Sequence, residues 1–227
     1  MRCSTTRARH ALAAGFAAVL LLAGCGAAGG DGTTSVAADR PGTIVLGTDA
    51  TPQSRAVAAL YAAVLTAAGE RVETPDAAYA TPADTVRAVV AGELGLAPAY
   101  GSTLLSVLPD GQRVPGDLAA TLSMALPPGT VALPPAAADV RVLRDGDGDG
   151  GDAAPGDSGS SADVPLKDHV FPLAEAPALG SAARKALAGL NAPLTTPELA
   201  KLTARISAGE DPDDTAEDWL RARGLLR

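Results

Sequence analysis

The chain has 227 residues, a formal net charge of −8 at pH 7 and only 3% aromatic residues. Acidity of this degree repels phosphate backbones and anionic lipid, which excludes nucleic acid as a partner.

At the N-terminus, Arg2, Arg7 and Arg9 precede an apolar run, Ala11 to Leu21, that is too short for a permanent membrane span. Leu22-Ala23-Gly24-Cys25 follows, and the whole resembles a bacterial lipoprotein signal ending in a lipobox. That resemblance implies cleavage after residue 24 and lipid modification of Cys25, which anchors the mature chain to the extracytoplasmic face of the membrane. An ordinary secretory signal with a chance cysteine is the alternative. Removing residues 1–24 takes away three arginines and no acids, moving the formal charge from −8 to −11. Residues 25–41 are small and polar and read as a tether.

Folding signals begin at Thr43, where Thr43-Ile44-Val45-Leu46 reads as a buried strand ending at Gly47. Thr51-Pro52 predicts a helix start, and Val57, Leu60, Tyr61, Val64, Leu65 and Ala68 continue at helical spacing until Gly69. Arg71 to Thr74 is a second strand. Thr81-Pro82 opens a second helix, with Val86, Val89 and Val90 in a stripe and Gly92 at its end, and Gly95-Leu96-Ala97 forms a third strand. Alternating strands and helices predict a parallel, doubly wound sheet. A helix is expected over Asp117 to Ala125 and a strand over Val140 to Leu143. Helices then dominate: Ser181 to Leu190, one opened by a capping box at Thr195 and Glu198, and a last one whose acids Asp213, Asp214, Glu217 and Asp218 precede Arg221 and Arg223. Trp219 and Leu220 dock that last helix, and Tyr61 lies on an apolar stripe.

The segments TIVLGTDATPQSRAVAALYAAVLTAAGERVE and AGELGLAPAYGSTLL, with LKDHVFPLAEAPAL, LTTPELAKLTARI and EDPDDTAEDWLRARGL, carry a family likeness. They resemble the substrate-binding lipoproteins of ABC importers for glycine betaine, choline, carnitine and related osmoprotectants. The resemblance implies an α/β, type II periplasmic-binding-protein-like fold, a single lobe with a parallel or mixed sheet and C-terminal helices finishing it. The second lobe, roughly a hundred residues in the family, is missing. The expected organisation is residues 42–144 as the first part of one lobe, 145–162 as a disordered linker, and 163–227 as the returning helical part. Val140 to Leu143 resembles the outgoing hinge and Val164 to Asp168 the returning one.

The linker DGDGDGGDAAPGDSGSS invites a metal reading, because Asp145, Asp147, Asp149 and Gly150 match the opening of a calcium loop. Gly156 stands where the bidentate glutamate belongs, so a solvated bridge is the better reading; as a coil of 17 residues it spans roughly 20–25 Å. No metal or cofactor is expected.

A quaternary ammonium is gripped by aromatic faces, while donors hold its carboxylate. After the signal only Tyr61, Tyr79, Tyr100, Phe171 and Trp219 are available. The resemblance implies ligand contacts from Tyr100, Thr48 and Asp49; whether Tyr100 lines a pocket or packs in the core is left open by the residues themselves. The family's acid before Tyr100 is replaced by Gly95, and a polar or aromatic position near the return has become Ala174 or is missing. Enzyme readings have little to stand on: His169, read as a surface residue, is the one histidine after the signal, and neither Gly-x-Ser-x-Gly nor a phosphate loop occurs. The expectation is a degenerate osmoprotectant receptor serving an ABC permease and binding a quaternary ammonium or zwitterionic solute weakly. A ligand-free accessory lipoprotein of the envelope is the alternative.

Overall fold

The computed structural model describes residues 42–107, 118–141 and 168–226. Cys25, the tether, the acidic linker and residues 164–167 of the returning hinge lie outside the described residues.

Strand β1 (Thr43–Val45) pairs in parallel with β2 (Arg71–Glu73) across helix α1 (Pro52–Ala67). Local chemistry sets the limits of α1: the Thr51 hydroxyl accepts from the Ser54 amide at 3.2 Å, Pro52 takes the first turn, and Gly69 turns the chain away at φ 89°. Helix α2 (Pro82–Val90) repeats the device, with Thr81 accepting from the Asp84 amide at 3.1 Å and donating to its carboxylate at 2.6 Å. Strand β3 (Leu96–Tyr100) then returns past β2 to the far side of β1, joined through the parallel bridge Leu46–Leu96. The close approach at that bridge requires Gly47, where a Cβ would lie 2.1 Å from a Leu94 methyl.

Helices α3 (Gly101–Val107) and α4 (Leu118–Ala125) lead to β4 (Thr130–Ala132). The chain comes back as β5 (Val170–Glu175), which inserts between β3 and β4 and is antiparallel to both. Read across the bridge, the strand order is β2-β1-β3-β5-β4. Helices α5 (Ser181–Ala188), α6 (Thr196–Ser207) and α7 (Pro212–Ala222) complete the lobe against α1.

Strand order explains the layering. The step from β1 to β2 and the step from β2 to β3 run in opposite directions, so right-handed crossovers put α1 and α2 on opposite faces. One core gathers Ile44, Leu46, Leu96 and Val170 beneath α1 and the C-terminal helices; Tyr61, Leu199, Leu202, Trp219 and Leu220 belong to it. The other gathers Ala97, Ala99, Phe171 and Leu173 with Val86, Val89, Leu104 and Leu122. Alternation along β3 and β5 feeds both. The result is a single α/β lobe with C-terminal helices.

Three expectations are corrected. The sheet is mixed, as the family likeness allows, and not the all-parallel one that the alternation of strands and helices suggests, because β5 enters from the end at which β3 finishes, with the Gly101 amide donating to His169 O at 3.1 Å, and must therefore run antiparallel to it. At the outgoing crossing no strand forms at Val140-Arg141: Asp139 makes an isolated bridge to His169, and its Oδ1 accepts from the amides of Arg141 (3.2 Å) and Asp168 (3.1 Å). A side chain thus takes donors that a continuing ladder would need. The capping box is also absent: Thr195 makes no side-chain cap bond, and Glu198 instead accepts from Trp219 Nε1 at 2.9 Å and pairs with Lys201 and Arg223. Arg223 lies 4.1 Å from the Trp219 ring centre, so one glutamate and one tryptophan tie α6 to α7.

Candidate functional site

In an open α/β sheet the crevice for ligands lies beyond the carboxyl ends of the strands, where the strand order reverses. Here that point falls between β1 and β3. Thr48 and Asp49 leave β1 there, and Tyr100-Gly101-Ser102 leave β3.

The β1 side is a closed hydrogen-bonded turn. Thr48 Oγ1 and Ser54 Oγ are 2.7 Å apart, the Asp49 amide donates to Ser54 Oγ at 3.2 Å, and Asp49 Oδ1 accepts from the Thr51 amide at 2.8 Å. Asp49 is 1% exposed, and its geometry fixes the entry of α1. Thr48 borders a cavity of about 380 Å³ between α1 and the start of α7, shared with Arg55, Thr74, Asp76, Asp211 and Asp213. Neither Asp49 nor Tyr100 lines it.

The β3 side is organised by Asp168. This buried carboxylate accepts from the Ser102 amide at 2.8 Å and from Ser102 Oγ at 2.6 Å. Gly101 makes the approach possible, since a Cβ there would stand 2.9 Å from a Leu118 methyl and 3.4 Å from Asp168 Oδ1. The Asp168 carbonyl accepts from the Val140 amide at 2.8 Å, and the half-buried His169 donates from Nδ1 to Ala138 O at 2.9 Å. The outgoing and returning segments therefore meet side by side at the end of β3. The Asp139 amide also donates to Thr196 Oγ1 at 2.8 Å, holding the crossing to α6.

Tyr100 is 2% exposed and its ring belongs to the core beneath α1. Tyr61 shares that core: burial pushes its phenol well above the ordinary range, and Tyr100 adds to the effect. Phe171 and Trp219 are buried as well, which leaves Tyr79 as the only half-exposed one of the five tyrosine, phenylalanine and tryptophan candidates. The family likeness named Thr48, Asp49 and Tyr100 as ligand contacts but not Ser102 or Asp168, which are 66 positions apart and joined only by the fold. Among the described residues, no three histidine, cysteine, aspartate or glutamate side chains converge as a metal site. Nor is any described helix long and apolar enough to cross a membrane.

No protein-family model matches the chain. No curated protein matches it significantly. Among solved structures, apo YehZ from Escherichia coli is similar with a TM-score of 0.58 at 13% identity, over 81% of this chain and 99% of that one. At that identity the likeness is one of fold: the chain shares its α/β architecture with YehZ.

Proposed function

We propose that the chain is a reduced solute-binding lobe of the osmoprotectant type, a type II periplasmic-binding-protein-like fold in which a short linker stands where the second lobe would be. It is carried on the extracytoplasmic face of the membrane by a lipid on Cys25, beside an ABC permease, and binds quaternary ammonium or zwitterionic solutes weakly. It carries out no chemistry of its own.

The observation that carries this reading is the crossing at Asp139 and Asp168. The chain leaves and re-enters one lobe at adjacent points beside the strand-order reversal, and only 26 residues, 142–167, lie between. Below about 40 residues a segment without disulfides or metals rarely builds its own core. The solute crevice therefore has one wall. The buried rings point the same way, because a cation gains about 2 kcal/mol from a desolvated aromatic face, roughly thirty-fold in affinity, and four of the five candidate rings face inward. That burial also favours the second reading, an accessory lipoprotein that binds no solute.

A thermal-shift panel with glycine betaine, choline, carnitine and proline at 1 mM tests the proposal. A micromolar site would add about 4 kcal/mol of stability at that concentration, whereas a site of about 10 mM adds about 0.06 kcal/mol. No measurable shift is expected; a rise of several degrees with any of the four would overturn the proposal.

A further inference from the structure

We draw no further inference here: the strongest candidate, the apolar pocket of about 400 Å³ between α4, β4 and Phe171 at the edge of the sheet, carries none because nothing in the structure shows what covers it.

Discussion

Replacing Asp168 with alanine removes the acceptor for both the amide and the hydroxyl of Ser102, at 2.8 and 2.6 Å. Hydrogen bonds to a charged group contribute about 1.5–3 kcal/mol each, and the site is buried, so water cannot readily replace the carboxylate. Asp168→Ala should therefore cost about 3 kcal/mol. With a urea dependence of about 2 kcal/mol per molar, the unfolding midpoint should fall by about 1.5 M. Ser102→Ala keeps the backbone bond and loses the hydroxyl one, for a cost of about 1.5 kcal/mol. Because both substitutions remove the same hydroxyl–carboxylate bond, the double variant should be less destabilised than the sum by about 1.5 kcal/mol. If Asp168→Ala unfolds within about 0.5 kcal/mol of the parent, or if the two effects simply add, Asp168 does not hold the crossing to β3.

Three further outcomes are expected. Deleting residues 145–162 should leave a cooperatively folding lobe, since the crossing ends are already hydrogen-bonded to each other; shortening the connection from 26 residues to 8 should stabilise it by about 1 kcal/mol, read from thermal unfolding. Gly47→Ala should cost about 1–3 kcal/mol by driving a methyl into Leu94, and Leu94→Ala in the same chain should recover part of that loss in a urea titration. The Glu198 carboxyl is held below its usual range, first by the Trp219 indole N–H and then by Lys201 and Arg223. Its stabilisation is complete above the unfolded glutamate value of about 4.3 and is lost as pH falls through the lower folded value. Acid unfolding of the parent should thus be steeper in that window than that of Glu198→Gln, which keeps an acceptor for Trp219 but cannot titrate.

What could be read from the sequence was whatever depends on near neighbours. Thr51-Pro52 and Thr81-Pro82 open helices, and Gly69 and Gly92 close them at φ 89° and 76°, because caps and left-handed turns are settled within a few residues. Gly95-Leu96-Ala97 is legible as a strand, whereas Pro98 argues against a strand interior, yet β3 runs on to Tyr100. It continues because Pro98 faces Pro172 in a pair where neither needs to donate to the other: the cross-strand bonds fall at Gly95 with Glu175 and Gly101 with His169, leaving alternate pairs unbonded. Pro172 obscures strand β5 in the same way. The capping box failed because Glu198 has tertiary partners on α7 that outcompete a local backbone amide. At the site, the strand ends could be placed from motif and period, but the burial of Tyr100 is decided by α1 and β5 packing over it, and Ser102 with Asp168 is a purely tertiary pair.

The proposed solute crevice has one wall and little grip on its solute. Isothermal titration of a chain comprising residues 25–227 with glycine betaine up to 10 mM tests this proposal. No saturation is expected below the millimolar range, whereas a single site with a low-micromolar dissociation constant would refute the one-walled crevice.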